Sequence, residues 1–477
     1  MIMPNHSRTK IVATVGPACS SPEILEQMVL AGVDVFRLNF SHGSYNDMRS
    51  IVDSINEISD RLEIPVAILA DLQGPKIRIG EMENNGVDLV NGSIVTFSTT
   101  KQIGTAEVLY INYQQFPKDV KAGEKILLDD GKFLLEVIET NKIDKVTAKV
   151  LQGGKLSSKK GVNLPNTKTS IPCLTEKDIA DLEFALSCNV HWIGLSFVRS
   201  AADVIELRHI ISNHKRRTRI IAKIETPMAI DDIENIIKEA DGAMVARGDL
   251  GVEVPMYEVP LIQKMIVERC IAASKPVIIA TQMMESMINN ITPLRAEVND
   301  VANSVLDGAD AVMLSGETSV GKYPVKVIEA MQNIIAHVEL KGTRKKYLHT
   351  MVNTGSERYI SDAICYNACK LADDTGTSAI VTMTHSGYTA FKLSSYRPNA
   401  NIYIFTDNKG ILRMLNLLWG VRGFYYDKNI STDHTIADIK FILKKGNFVS
   451  DGDMVINIAS IPLQEKGKSN MLKLSVV

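Results

Sequence analysis

The chain has 477 residues, with 53 basic and 55 acidic side chains and a net charge of −2. Its length suggests about three domains at roughly 150 residues each, and the balanced charge argues against nucleic acid or a membrane surface as a partner. The six cysteines form no Cys-x-x-Cys pair, and the sequence contains neither an N-terminal signal segment nor an apolar run long enough to span a bilayer. We therefore expect a cytoplasmic protein with reduced cysteines.

Apolar, β-branched runs alternate with helical patterns over most of the first 340 residues. Eight runs are predicted as strands, beginning near Ile11, Val35, Val66, Trp192, Ile220, Ala243, Val277 and Ala311. Helices are predicted after most of them, for example over residues 22–31, 48–62, 175–187 and 202–214. Eight strand–helix repeats favour a closed (β/α)8 TIM barrel, with an open doubly wound sheet as the alternative.

The interval between the third and fourth strands is much longer than the others. It contains short alternating patterns over 87–90 and 94–97, and Asp130-Gly131 indicates a hairpin turn between 125–128 and 133–137. We predict a small β-barrel domain over residues 72–168, inserted into a barrel made of residues 1–71 and 169–345. Because active sites of such barrels lie at the βα-loop end, an inserted domain there can act as a lid.

The α/β alternation resumes in the C-terminal region. A helix is predicted over 356–373, and strands over 378–383, 402–405 and 452–458. We expect residues 352–477 to form a third domain with an open α/β sheet.

Polar side chains concentrate where the eight predicted strands end. Lys223 and Glu225 end the fifth strand on one face, and Arg247 and Asp249 follow the sixth. The other strand ends and their loops contribute Arg37, Asn39, Ser41, Asp71, Arg78, Ser196, Arg199, Thr281, Gln282, Ser315 and Glu317. Each residue alone has an ordinary structural explanation, but their concentration at one end of a barrel indicates a site.

The residue types at these ends indicate a particular chemistry. Four arginines and a lysine favour an anion, and the carboxylates of Glu225 and Asp249 suit Mg²⁺. Cations combined with Mg²⁺ are what phosphoryl transfer requires, although the chain has no Walker, Rossmann or protein-kinase motif. The alternatives are a Schiff-base aldolase using Lys223, a Mg²⁺-dependent aldolase, and a non-catalytic phosphometabolite sensor.

Six segments closely resemble the pyruvate kinase family. They are 10–17 (KIVATVGP), 37–43 (RLNFSHG), 160–165 (KGVNLP), 244–251 (MVARGDLG), 280–283 (ATQM) and 313–318 (MLSGET). The resemblance implies a glycolytic enzyme that moves the phosphoryl group of phosphoenolpyruvate to ADP, giving pyruvate and ATP. It also implies Mg²⁺ or Mn²⁺ as cofactor and a homotetramer.

The resemblance assigns roles to individual residues. It places Glu225 and Asp249 on Mg²⁺ and Lys223 beside the transferred phosphoryl group. It implies that Gly248 and Thr281 bind the substrate carboxylate, with Thr281 near the site of enolate protonation. Phosphates and nucleotide are implied to contact Arg37, Asn39, Arg78 and Lys160.

The family's monovalent-cation site matches Asn39, Ser41, Asp71 and Leu72. Many members read Asp-Thr-Lys-Gly-Pro-Glu at residues 71–76, whereas this chain reads Asp-Leu-Gln-Gly-Pro-Lys. A tethered ammonium at Lys76 can supply the charge that K⁺ brings. We therefore predict that K⁺ is not required, the alternative being that Lys76 points into solvent.

A loop of the third domain has the composition of a phosphate site. Thr384, His385, Ser386, Gly387 and Thr389 precede or begin a predicted helix, where hydroxyl groups and free N–H groups can hold phosphate. An ordinary helix cap is the alternative. In the family the matching loop binds phosphorylated effectors, and residues 467–470 resemble a second loop near it. Fructose 1,6-bisphosphate, another sugar phosphate and AMP remain open as effectors.

Overall fold

A computed structural model describes residues 7–41, 43–214, 217–342, 355, 357–428, 431–460 and 469–477. It contains a closed eight-stranded barrel, an inserted region of β structure and a C-terminal α/β domain, as the sequence predicted. Within the described residues the strands are β1 Lys10–Thr14, β2 Val35–Asn39, β3 Ala67–Asp71, β4 Gly86–Leu89, β5 Ile94–Ser98, β6 Val108–Tyr110, β7 Lys125–Leu128, β8 Phe133–Thr140, β9 Lys145–Gln152, β10 Gly154–Ser157, β11 Val162–Asn163, β12 Trp192–Leu195, β13 Arg219–Ile224, β14 Gly242–Ala246, β15 Val277–Ala280, β16 Ala311–Leu314, β17 Ala379–Met383, β18 Asn401–Thr406, β19 Val421–Tyr425, β20 Met454–Ala459 and β21 Met471–Val476.

Helices connect the barrel strands and flank the C-terminal sheet. Their bounds are α1 Pro22–Ala31, α2 Tyr45–Leu62, α3 Phe116–Asp119, α4 Glu176–Ser187, α5 Ala201–Asn213, α6 Pro227–Asp231, α7 Ile233–Glu239, α8 Arg247–Glu253, α9 Val259–Ala272, α10 Arg295–Asp307, α11 Gly316–Ser319, α12 Pro324–Lys341, α13 Tyr359–Thr375, α14 Tyr388–Ser395, α15 Lys409–Met414 and α16 Thr432–Lys445. Local sequence explains their ends. Ser21 caps α1 by accepting from the Ile24 N–H, and Gly32 ends α1 at a positive φ of 118°.

The barrel strands are all parallel and close in the order β1-β16-β15-β14-β13-β12-β3-β2. They are almost continuously buried, which explains why they read as unbroken apolar runs. Each begins at or within one residue of its predicted start. In register, Asn39 of β2 lies beside Asp71 of β3, and Asp71 lies beside Gly194 of β12. The polar strand ends therefore meet at one end of the barrel.

The inserted region contains a six-stranded sheet in the order β11-β7-β8-β9-β5-β6 and a two-stranded sheet of β10 and β4. A separate apolar core holds it together, including the fully buried Phe97 and Phe116. Its β7–β8 hairpin turns through Asp129, Asp130 and Gly131, which all have positive φ. This geometry matches the predicted turn.

The C-terminal domain covers the opposite end of the barrel. Its sheet has the order β19-β18-β17-β20-β21, with β21 antiparallel to the others. The indole N–H of Trp192, at the start of β12, donates to the Met414 carbonyl at 3.1 Å. Arg397 forms a buried ion pair with Asp310 at 2.8 Å. These contacts leave the strand ends that carry the site free of the C-terminal domain.

Candidate active site

Two carboxylates and two cations form a buried network at the ends of β2, β3 and β13. Arg37 Nε lies 2.6 Å from Asp71 Oδ2, and Lys223 Nζ lies 3.4 Å from Asp71 Oδ1. Lys223 Nζ is also 2.9 Å from Glu225 Oε1 and donates to Ser196 Oγ at 2.6 Å. Because no side chain of the four charged residues is more than 12% exposed, solvent screens these charges little.

The network fixes the charge of its members. Burial alone would lower the pKa of Lys223, but Asp71 and Glu225 outweigh it and raise that pKa, so the ammonium stays charged. Burial would raise the pKa of Asp71, but Lys223 and Arg37 hold it below its usual value. Burial raises the pKa of Glu225. The positive charge of Lys223 lowers it, but the negative charge of Asp249 raises it further, so the net shift is upward. A second positive charge between Glu225 and Asp249 would relieve their repulsion.

The carboxylates fit a divalent cation. Glu225 Oε2 accepts from the Phe197 N–H at 2.7 Å, while the buried Oε1 accepts no hydrogen bond of good geometry, although Lys223 Nζ is close. In the described part of the chain, no three His, Cys, Asp or Glu side chains cluster as a metal cage. A pair of carboxylates suits Mg²⁺, which completes its shell with water and substrate oxygens.

Asp249 and Gly248 lie in the first turn of α8, immediately after β14. The Gly248 N–H donates to Thr281 Oγ1 at 2.8 Å, and Thr281 Oγ1 donates to the Ala280 carbonyl at 2.6 Å. Thr281 has a φ of 70°, in a region that β-branched residues rarely occupy. This strained turn holds a hydroxyl and a backbone N–H side by side at the barrel end, and a bound carboxylate would accept from them in place of the hydrogen bonds that they make here.

Three of the strand-end residues support the structure. Arg247 donates to Asp300 at 2.8 Å and to the Thr281 carbonyl at 2.7 Å, so it fixes the start of α8. Arg199 donates to the Thr169 carbonyl at 2.9 Å, which anchors the chain where it returns from the inserted region. Glu317 accepts from two backbone N–H groups. Arg199 also lines the cleft between lid and barrel, so such a hydrogen bond does not by itself assign a side chain to structure or to the site.

The lid residues form their own contacts above the barrel. Lys160 Nζ pairs with Asp129 Oδ1 at 2.8 Å, and this pairing lowers the pKa of Asp129. Arg78 Nη1 donates to the Lys159 carbonyl at 3.2 Å. The predicted turn comprised only Asp130-Gly131, and the pairing of the neighbouring Asp129 with Lys160 was not predicted. Both lid cations stand on segments that border the cleft.

The residues of the predicted monovalent-cation site come together beside this network. Asn39 Oδ1 accepts from the Ser41 N–H at 3.1 Å, and the buried Leu72 carbonyl accepts from Ser196 Oγ at 2.7 Å. Asp71 is already shared by Arg37 and Lys223. Lys76 is exposed and lines the cleft between lid and barrel, which encloses about 90 Å³.

The predicted effector loop follows β17. Thr384 Oγ1 accepts from the Gly387 N–H at 3.0 Å, and Gly387 has a φ of 82° at the start of α14, which begins at Tyr388. Thr389 Oγ1 lies 3.4 Å from Ser469 Oγ, which brings the second loop beside the first; residues 467 and 468 lie outside the described residues. His385 and Ser386 are exposed. The strand order changes direction at β17, a place where open α/β sheets bind ligands.

The fold and site define the class of the protein: a (β/α)8-barrel enzyme with a buried network of cations and carboxylates at the carboxyl ends of its strands. Family models support this: "Pyruvate kinase, barrel domain" matches residues 6–328 and "Pyruvate kinase, alpha/beta domain" matches residues 362–475. The pyruvate kinase of Geobacillus stearothermophilus is 42% identical, with 98% of this chain and 80% of the relative covered. That of Staphylococcus aureus strain MRSA252 is 40% identical at the same coverage.

A solved structure agrees along the chain. The crystal structure of a pyruvate kinase from Cryptosporidium parvum superposes with a TM-score of 0.93 at 34% identity, covering 98% of this chain and 96% of that one. The chain belongs to the pyruvate kinase family. Its reaction is the transfer of the phosphoryl group of phosphoenolpyruvate to ADP, which gives pyruvate and ATP. Among the described residues, no helix is long and apolar enough to cross a membrane.

Proposed function

We propose that the network around Lys223 carries out this transfer. Arg37 and Lys223 neutralise the phosphoryl group as it moves, and both are held in place by Asp71. Gly248 and Thr281 orient the substrate carboxylate. The observation that carries the proposal is the buried Lys223 ammonium between two carboxylates, because its charge is permanent and preorganised.

Glu225 and Asp249 are the proposed ligands of Mg²⁺ or Mn²⁺. The buried Glu225 Oε1 and the repulsion between the two carboxylates support this assignment. When bound, the metal would supply positive charge to phosphate oxygens. The protein's part is to orient both carboxylates, through the Phe197 N–H on Glu225 and the first turn of α8 on Asp249.

Lid residues Arg78 and Lys160 are proposed to contact the nucleotide, together with Asn39 of the barrel. Lys160 would leave Asp129 and bind phosphate instead. The Lys160–Asp129 ion pair is partly exposed to solvent, so breaking it costs little free energy. Thr281 is proposed to lie near the carbon that is protonated in the enolate. The cleft lined by Lys76, Asp249 and Phe197 is where substrate and nucleotide would meet.

A lactate dehydrogenase-coupled assay with phosphoenolpyruvate, ADP and Mg²⁺ tests the proposal. We expect turnover in the wild type and a loss of at least about a hundredfold in K223M and D249N. The exposed substitution K118A in the lid is the matched control. Zero turnover in the wild type would favour a phosphometabolite sensor, and full activity of K223M would refute the assigned roles.

The charge of Lys223 also argues against the Schiff-base aldolase that the sequence alone left open. A Schiff base needs a neutral amine, whereas Asp71 and Glu225 raise the pKa of Lys223. Borohydride trapping with a keto substrate is therefore expected to leave Lys223 unmodified.

We further propose activation by a phosphorylated metabolite at Thr384, His385, Ser386, Gly387 and Thr389. Three features of this loop support an anion site. His385 and Ser386 are exposed, Gly387 has a left-handed backbone conformation, and Ser469 lies beside Thr389. Titration of fructose 1,6-bisphosphate, glucose 6-phosphate and AMP at subsaturating phosphoenolpyruvate is the test. No response to any of them would leave the loop a helix cap.

The proposed assembly is a homotetramer, and the proposed location is the cytoplasm. Six buried free cysteines fit a reducing compartment. Sedimentation velocity would give the assembly size, and a monomer at micromolar concentration would contradict the tetramer.

A further inference from the structure

One side-chain hydrogen bond joins the lid sheet to the helix that carries the proposed metal ligand. Asn163, on lid strand β11, donates from Nδ2 to Glu253 Oε1 at 2.7 Å. Glu253 ends α8, one helical turn after Asp249. A second close approach between lid and helix lies beside this hydrogen bond. Gly131 of the lid hairpin faces Val252 of α8, and a Cβ built on Gly131 would lie 3.8 Å from Val252 Cγ1. The lid therefore rests on the last turn of α8.

Helix α8 is held at both ends, and its two anchors differ in kind. Its first turn is fixed to the barrel by Arg247 and by the hydrogen bond from Gly248 to Thr281. Its last turn is fixed to the lid by Glu253. Asp249 lies between the two anchors, so a movement of the lid that shifts the last turn of α8 would also change the orientation of Asp249.

The surroundings of Glu253 show that it faces the cleft. Asn163, Asp249 and Glu253 all line the same space. Burial raises the pKa of Glu253 to about 7, and the charges of Asp249 and Glu225 add to the effect, while Asn163 opposes it. The carboxylate of Glu253 is thus close enough to the proposed metal ligands to be influenced by their charge, and its lid partner stabilises it there.

We propose that Asn163 and Glu253 form a latch that holds the lid on α8 and positions Asp249 for the divalent cation. Both are positioning residues, because they contact each other and act on the metal only through Asp249. The inference rests on the proposed role of Asp249 as a metal ligand. It predicts that lid closure and metal binding strengthen each other, since both depend on the same turn of helix.

A reversed hydrogen bond tests the latch. In N163D, assayed well above pH 7 so that Glu253 is ionised, two carboxylates face each other and the latch is broken. In N163D/E253Q the amide introduced on α8 can donate to the carboxylate introduced on β11, which restores the bond with the wild-type net charge. We expect N163D to weaken Mn²⁺ binding, measured by electron paramagnetic resonance, by about tenfold. The KM for ADP rises by a similar factor with a smaller change in kcat. We expect N163D/E253Q to recover to within about threefold of the wild type.

Controls separate the latch from general destabilisation. N303A and E183A replace exposed residues on α10 and α4 and should leave Mn²⁺ binding unchanged. Thermal unfolding of every variant shows whether a lost affinity reflects a lost fold. Wild-type Mn²⁺ binding in N163D, or no recovery in the reversed pair, would overturn the latch. If D249N binds Mn²⁺ like the wild type, Asp249 is not a metal ligand and the proposed metal site is refuted. The contact between Asn163 and Glu253 is then tested separately by the KM for ADP of N163D and N163D/E253Q.

Discussion

Asp71 gives the sharpest test of the site, because this one buried carboxylate pairs with both Arg37 and Lys223, the two cations proposed to neutralise the phosphoryl group. D71N keeps the shape of the side chain and removes its charge. At an effective dielectric near 20, unit charges at 2.6 Å and 3.4 Å attract by roughly 6 and 5 kcal/mol. Desolvation offsets most of this attraction, and removing one partner of a buried pair costs about 3–5 kcal/mol in the free energy of unfolding.

Urea unfolding followed by the fluorescence of the buried Trp192 and Trp419 measures that cost. Since Arg37 and Lys223 hold the pKa of Asp71 below its unfolded value, its stabilising contribution is present above the unfolded pKa and is lost as pH falls through the folded pKa. The difference between wild type and D71N is therefore expected at pH 7 and should shrink below about pH 4.

Asp60 provides a matched control, because it also pairs with two cations, Lys409 and Arg413, both at 3.1 Å. Its side chain is 52% exposed, so D60N should cost about 1 kcal/mol or less. D71N should also raise the KM for phosphoenolpyruvate, since Arg37 loses its anchor, whereas D60N should not. A cost below about 1 kcal/mol with an unchanged KM in D71N would refute the reasoning.

Two further predictions concern Lys76 and Glu253. In tetramethylammonium buffer the wild type should turn over fully without KCl, whereas K76E should become K⁺-stimulated; strong stimulation of the wild type would contradict a tethered ammonium. Because the pKa of Glu253 is raised to about 7, the wild type should lose stability as pH rises from about 4.5 to 7, whereas metal-free E253Q should not. At roughly 1.4 kcal/mol per pKa unit, urea unfolding in EDTA should show a difference of about 3 kcal/mol at most, and parallel pH profiles would exclude this effect.

The barrel and the location of its site could be predicted from the order of residues alone. Strands buried on both faces must be apolar along their whole length, so their starts were visible to within one residue. Lys223, Glu225 and Asp249 stood out because charge follows such runs directly. The edge strands β19 (Val421–Tyr425) and β21 (Met471–Val476) were missed, since partly exposed strands carry mixed polarity.

The polar residues that act together became apparent only in three dimensions. Arg37 and Arg247 are both strand-end arginines, yet Arg37 lies in the charged network, while Arg247 joins α8 to the end of β15 by donating to the Ala280 carbonyl. The lid contact of Asn163 with Glu253 joins residues about 90 positions apart. Such pairings depend on how separate elements pack, because hydrogen bonds and ion pairs act over a few ångströms in space, irrespective of separation along the chain.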